Sequence, residues 1–183
     1  GRGAIDCLEK SGFKADEIVR WDIQETTAKS GPYQEIANSD LFINCIYLSK
    51  KIPPFINRDL LAAAGSQRRL GMIVDVSCDT TNPNNPIPVY SVNTTFEKPT
   101  VRVDGVDNLE VISIDHLPTL LPRESSEAFS HDLLPSLLQL PLIQGDDGPD
   151  ALAQDHAEGE GAVWARAEKL FRHHLAEAEK NGA

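Results

Sequence analysis

The chain has 183 residues, 40% of them hydrophobic and 25% charged, with a formal net charge of −11. Such a chain can bury a real core as one globular domain, or one domain with an appended piece. The charge disfavours nucleic acid and anionic membranes, because a phosphate surface requires a basic stripe and none is present. No apolar run approaches the roughly 20 residues that span a bilayer. The start, Gly1-Arg2-Gly3, carries no apolar signal region, so a cytoplasmic protein is expected. Position 1 is not Met, and the expectation is a chain truncated at its start. Cys7, Cys45 and Cys78 stand apart, without C-x-x-C spacing or paired histidines, and read as small buried residues of a reducing compartment, not metal ligands.

In chain order, glycines open a helix with Ala4, Ile5 and Leu8 on one face and Gly12 as its stop. Residues 17–21 read as a strand ending at Asp22. A Gly-rich start, a helix, a strand and then an acid about 20 residues after the glycines match the second part of the dinucleotide-binding βαβ fingerprint. The glycines let a pyrophosphate approach the helix N-terminus, and the carboxylate accepts hydrogen bonds from ribose hydroxyls while repelling a 2′-phosphate. That favours NAD over NADP. Asp22 taken alone reads equally as an ordinary turn residue at a strand end.

Residues 41–46 and 72–76 are apolar nearly throughout, as expected for strands of a parallel sheet covered on both faces. Each passes into a polar loop. Ligands of open α/β sheets sit beyond the carboxyl ends of the strands, which places Tyr47, Ser49, Asp75, Ser77 and Asp79 where a ligand is expected. Between the two strands Asn57 is positioned to cap a short helix, 58–64, that turns Leu60 and Leu61 inward. Residues 82–104, with four prolines, suggest a hairpin or excursion projecting from the sheet. Residues 109–114 form a further strand that ends at Asp115-His116-Leu117, where His116 is a candidate contact on the nicotinamide side or a hydrogen-bonded structural residue.

From Arg123 the pattern is helical, with Ser125 or Ser126 as caps and Pro135 as a break between two pieces. Adjacent helical residues point about 100° apart, so His131 and Asp132 are not expected to form a dyad. Residues 144–161, acidic, glycine-rich and without aromatics, read as a flexible insert. The last helix, 162–180, carries Val163, Ala167, Leu170, Phe171, Leu175 and Ala178 on one face. His173 and His174 in its C-terminal half suit the helix dipole, and no i, i+4 partner points to a metal.

Several strings resemble fungal saccharopine dehydrogenase of the NAD-dependent, L-lysine-forming kind: Trp21-Asp-Ile, Phe42-Ile-Asn-Cys-Ile-Tyr-Leu-Ser49, Val74-Asp-Val-Ser, Asp79-Thr-Thr-Asn-Pro, Asn85-Pro-Ile-Pro, Ile114-Asp-His-Leu-Pro-Thr-Leu-Leu-Pro-Arg-Glu124 and Phe129-Ser-His-Asp-Leu-Leu-Pro-Ser136. The resemblance covers nearly all of the chain except the acidic insert. It implies two Rossmann-like domains with NAD in the cleft between them. The expected fold is therefore an α/β, Rossmann-like doubly wound parallel sheet over residues 1–117 that lacks its first strand. Helices over 118–183 would return to a missing amino-terminal domain.

By the same resemblance Asp22 would bind the adenosine ribose, Thr26 and Tyr47 would line the adenine side, and Val76, Ile114, Asp115, His116 and Leu117 would contact the nicotinamide half. The catalytic groups and the substrate-binding arginines would belong to the missing domain, so this chain would supply no catalytic residue and would be inactive alone. The implied reaction is oxidative cleavage of saccharopine to L-lysine and 2-oxoglutarate, with small-molecule substrates, no nucleic-acid or membrane partner, and a monomer at full length. The alternatives are an NAD-binding module without chemistry and an alanine-dehydrogenase-type enzyme.

Overall fold

The computed structural model describes residues 1–48, 50–78, 80–140 and 162–180. The chain divides into two compact units, Gly1–Leu117 and Pro118–Ala183. The insert expected over 144–161 lies outside the described residues, as do Ser49 and Asp79.

The first unit opens with α1, Arg2–Lys10, whose Ala4, Ile5 and Leu8 are half-buried on one side as their spacing predicts. It stops where Gly12 takes a φ of +98°, a conformation that costs little only without a Cβ. The Gly12 amide donates to the Glu9 carbonyl and the Phe13 amide to that of Leu8, both at 3.1 Å, the paired bonds of a Schellman stop. Residues 17–21, expected as a strand, form none. A strand exists by pairing its backbone, and this segment has no ladder partner among the described residues; Val19 is 72% exposed. Aromatic packing anchors the stretch instead. The Trp21 ring meets Tyr33 edge-on at 5.0 Å, and Phe55 follows at 5.6 Å. Two short helices, α2 (Ile23–Ala28) and α3 (Gln34–Asn38), lie in this region, and Ile36 and Ala37 of α3 are buried.

The strands are β1 (Leu41–Asn44), β2 (Met72–Asp75), β3 (Val101–Arg102) and β4 (Glu110–Ile112), in the spatial order β1-β2-β4-β3. β2 pairs in parallel with β1 and with β4, whereas β3 runs antiparallel to β4. The wholly parallel sheet expected from the apolar runs is thus a mixed one. Between β1 and β2 the chain passes through α4, Arg58–Ala64, started by Asn57, whose Oδ1 accepts from the Leu60 amide at 2.8 Å as predicted. Leu61 is buried and Leu60 packs at the margin of the core.

Alternation along the strands separates two faces. Ile73 and Val111 are completely buried, whereas Met72, Val74 and Ile112 are half-buried. One face is closed and the other only partly covered, not both closed as expected. Residues 82–104 do not project from the sheet. Ile87 and Val89 lie fully in the core with Ile56, Leu70 and Leu109, and the extended piece around 89–92 pairs with no strand among the described residues. Apolar residues between the prolines give this segment a better place against the core than in solvent.

In the second unit α5 (Pro122–Leu137) begins at Pro122, with Leu121 as its N-cap. A proline at the first position loses no helical bond and fixes φ, which is why the helix starts before the serines proposed as caps. Ser125 Oγ instead donates back to the Pro118 carbonyl at 2.9 Å. Pro135 sits inside α5 without dividing it, although it has no amide to donate to the carbonyl four residues earlier. The final helix, α6 (Ala162–Lys180), joins α5 through Trp164, whose indole Nε1 donates to the Ser136 carbonyl at 2.6 Å. Val163, Leu170, Phe171 and Leu175 on α6 are exposed. Among the described residues no helix is long and apolar enough to cross a membrane.

Gly31 marks the tightest approach in the first unit, because a Cβ built there would lie 2.2 Å from the Pro54 carbonyl oxygen. Gly31→Ala is expected to lower stability by about 1–3 kcal/mol through this overlap with backbone. A urea unfolding midpoint equal to that of the parent chain would show that the 53–55 segment yields without cost.

Candidate functional site

β1, β2 and β4 run in one direction, so their carboxyl ends share an edge. On the core-facing side each strand carries an apolar residue (Phe42, Ile73, Val111) and, two positions later, a polar one: Asn44, Asp75 and Ser113. All three polar residues are buried, at 2%, 1% and 0% exposure. Asn44 and Asp75 are register partners. The core therefore changes from apolar to polar where the strands end.

Each member of this row is satisfied. Asp75 Oδ1 accepts from Asn44 Nδ2 at 2.9 Å, from the Ser77 amide at 3.1 Å and from the Cys78 amide at 3.3 Å. Its Oδ2 accepts from the Tyr90 hydroxyl at 2.6 Å. Ser113 Oγ donates to the Val92 carbonyl at 2.9 Å, its amide donates to Thr94 Oγ1 at 3.0 Å, and the Thr94 amide donates to the Ser113 carbonyl at 2.9 Å. Residues 90–94 are thereby fastened across the ends of β2 and β4. Asn82 Nδ2 donates to the Leu48 carbonyl at 3.1 Å, tying the loop after β2 to the loop after β1. Among the described residues no buried side-chain nitrogen or oxygen lacks a partner.

Cys78 adopts a φ of +48°, a left-handed conformation that costs a non-glycine residue of order 1 kcal/mol. Its amide and thiol both donate to Asp75, to the carboxylate and to the backbone carbonyl respectively, which holds the turn in place. Burial, and after it the negative charges of Asp75 and Asp115, together push the thiol up to about 12. A thiol held protonated in this way is a weak nucleophile at neutral pH.

The residues proposed from sequence fall into two groups. Asp22 and Thr26 belong to α2. The Asp22 carboxylate accepts from the Ile23 amide at 2.8 Å and forms a capping box with Glu25, while Thr26 Oγ1 donates to the Asp22 carbonyl at 3.1 Å. Tyr47, Val76, Asp115, His116 and Leu117 stand on the exits of the three parallel strands. Tyr47 is 69% and Val76 44% exposed. Ile114 is buried, so any contact it makes with a ligand passes through its backbone. Asp75, placed by sequence among the ligand-facing residues, is committed to the interior. His116 packs edge-on against Phe96 at 5.2 Å between centroids. Nearby, the Glu97 carboxyl is held below its usual range by its own backbone amide and by Thr95, with a smaller contribution from His116.

Sequence reasoning missed Asn44, Tyr90, Thr94 and Ser113. A polar residue closing an apolar strand, as Asn44 and Ser113 do, was the available signal. Two surface expectations also change. His131 Nδ1 and Asp132 Oδ1 meet at 3.3 Å despite being adjacent on α5, both exposed. Glu177 provides the i, i+4 partner of His173, at 3.5 Å, and lies 3.3 Å from His174; all three are exposed.

This arrangement fits a dinucleotide. Asp22 is an exposed carboxylate suited to ribose hydroxyls, Tyr47 and Val76 offer exposed apolar surface at the strand exits, and no side chain caps the first turn of α1. Gly1 and Gly3 leave open space at that helix start. No family model matches the chain. It is 55% identical over 180 residues to saccharopine dehydrogenase [NAD(+), L-lysine-forming] of Candida glabrata, an alignment that takes in 97% of this chain. It is 56% identical over 177 residues to the enzyme so named from Yarrowia lipolytica and 52% over 174 residues to that from Neurospora crassa. The chain belongs to the saccharopine dehydrogenase family. It spans 42–44% of the length of these relatives.

The buried thiol gives a direct check on the packing of this edge. At pH 8.5 iodoacetamide should label the exposed Cys7 and leave Cys78 unlabelled until the chain is unfolded. The raised folded-state value also fixes the sign of a pH effect. Stability from the neutral thiol is fully present below the unfolded value of 9.0 and is lost as pH rises from there towards about 12. Equal labelling rates for the two cysteines by mass spectrometry would mean that the turn at Cys78 opens freely.

Proposed function

We propose that the chain is the NAD-binding, carboxyl-terminal portion of an NAD-dependent saccharopine dehydrogenase, which converts saccharopine, NAD+ and water to L-lysine, 2-oxoglutarate, NADH and a proton. The observation that carries this reading is the likeness of 52–56% over 93–97% of the chain to enzymes of that name, a span that includes every residue of the carboxyl edge. The fold is then a Rossmann-like sheet whose further strands come from the rest of a longer protein. The exposed apolar residues of α5 and α6 suit packing against that remainder. The protein would act in the cytoplasm on small molecules alone, as a monomer, with no nucleic-acid or membrane partner.

When bound, the nicotinamide accepts the hydride; the residues here hold and orient the cofactor. The Asp22 carboxylate takes the adenosine ribose hydroxyls and excludes a 2′-phosphate, and Thr26 and Tyr47 border the adenine. Val76 and residues 114–117 border the nicotinamide half, with Ile114 contributing main chain. None of these side chains is assigned a proton-transfer role, so the general base belongs to the remainder of the protein.

Asp22 has two tasks, and substitution separates them. In a chain of the relatives' full length that carries these residues, Asp22→Asn retains a capping side chain and should weaken NAD binding by about 1.5–3 kcal/mol for the lost charge-assisted bonds. Asp22→Ala should show the same loss plus about 1 kcal/mol of stability from the lost cap. Titration calorimetry decides it: an Asn variant with the parent dissociation constant removes Asp22 from the ribose site.

A further inference from the structure

We propose that the buried carboxylate of Asp75 acts through space on the cofactor site, tilting its preference towards the oxidised, cationic nicotinamide and away from the reduced, neutral one. The inference rests on the NAD reading above. Asp75 closes β2, the strand flanked by β1 and β4, and is 1% exposed. Its four donors are an amide side chain, two backbone amides and a phenol, all neutral. Among the described residues Asp75 takes part in no ion pair. Neutral donors satisfy the oxygens but leave the net charge in place, and an uncompensated buried charge is costly to keep.

Hydrogen bonding alone does not require that charge. An asparagine at this position could keep its Oδ1 towards Asn44, Ser77 and Cys78 and offer Nδ2 to Tyr90, whose hydroxyl accepts as readily as it donates. What the carboxylate adds over the amide is the field. The field has a short route to the site, because the next residue, Val76, already stands 44% exposed at the strand exit. Asp115, at the exit of β4, adds a second negative group, but an exposed one that solvent screens. The other groups facing Asp75 are the Cys78 thiol, the Ser77 hydroxyl and the Tyr90 phenol. The exposed His116 is the titratable base at this edge. The Cys78 thiol already registers both carboxylates, which help to keep it protonated.

Oxidised nicotinamide carries one positive charge on its ring and the reduced form none. A fixed anion therefore favours the oxidised form in proportion to the potential it creates. A unit charge about 12 Å away at an effective dielectric constant of about 20 changes such an equilibrium about tenfold. The reduced ring, being neutral, gains nothing from that potential, so the effect shows as a ratio between the two forms.

The test uses a chain of the relatives' full length carrying these residues, with dissociation constants for NAD+ and NADH measured by titration calorimetry at one fixed pH. Asp75→Asn should weaken NAD+ by about three- to tenfold and leave NADH unchanged or tighter. Tyr90→Phe removes one donor and keeps the charge, so it should leave the ratio of the two constants as in the parent. A structural role for Asp75 alone would instead weaken both forms together. If Asp75→Asn does not fold, the double variant Asp75→Ser with Tyr90→Phe, which removes the charge and its outer donor together, takes the same measurement. Binding of both cofactors with an unmoved ratio overturns this inference and leaves the NAD reading intact; failure of the parent protein to bind either one overturns both.

Discussion

The first unit depends on one buried group, the carboxylate of Asp75, and on the four donors that surround it. Sheet, loop and connecting segment meet at this one group. Asn44 brings in β1, the Ser77 and Cys78 amides bring in the turn after β2, and Tyr90 brings in the 87–94 segment. Removing any partner from a buried carboxylate leaves desolvated polarity costing about 1–3 kcal/mol, more for a charge. Bonds of this kind specify one arrangement, because a shifted loop would leave the same donors and acceptors unmatched.

A gradient of polarity along the strands follows from that constraint. Phe42, Ile73 and Val111 supply apolar burial, and two residues later Asn44, Asp75 and Ser113 replace it with hydrogen bonds. Apolar contacts hold the sheet without direction, whereas the polar row fixes where each strand exit points. The exposed residues that follow, Tyr47, Val76 and Asp115, are thereby placed by a rigid layer beneath them. If the proposed cofactor binds here, an edge built this way loses little ordering entropy.

Much of this was legible in the sequence, and the limits have physical causes. β1, β2 and β4 were visible as β-branched runs, Asn57 as a cap and Gly12 as a helix stop, because each signal is local. Residues 17–21 have strand composition, yet pairing is not local, and Trp21 is held by Tyr33 instead. The proline-rich stretch 82–104 read as an excursion since prolines argue against strands; Ile87 and Val89 nevertheless entered the core without one. Pro122 outweighed Ser125 and Ser126 as the start of α5, because a proline there is preorganised and a serine is only a partner. The polar row escaped notice, since Asn44, Tyr90 and Ser113 lie in three distant parts of the chain and acquire meaning only in register. The residues proposed to border the cofactor rest on likeness to long strings, which no periodicity in those segments would have supplied.

Asp22 shows how structure and proposed function share one group. A carboxylate has about four lone-pair directions, and the α2 capping box engages the amides of Ile23 and Glu25. The remaining directions face solvent, so a pair of ribose hydroxyls could bind without releasing the cap. The helix also makes the carboxylate a better acceptor for its site. Its rotamer is fixed by the amide bonds before a ligand arrives. Tyr33 adds to this order by donating from its hydroxyl to the Thr26 carbonyl at 3.0 Å, while its ring packs between Trp21 and Phe55. The position of Asp22 is therefore set from the core outward: from Phe55 through Tyr33 to α2, and from α2 to the carboxylate. A change at Tyr33 would disturb the proposed ribose site through α2 alone.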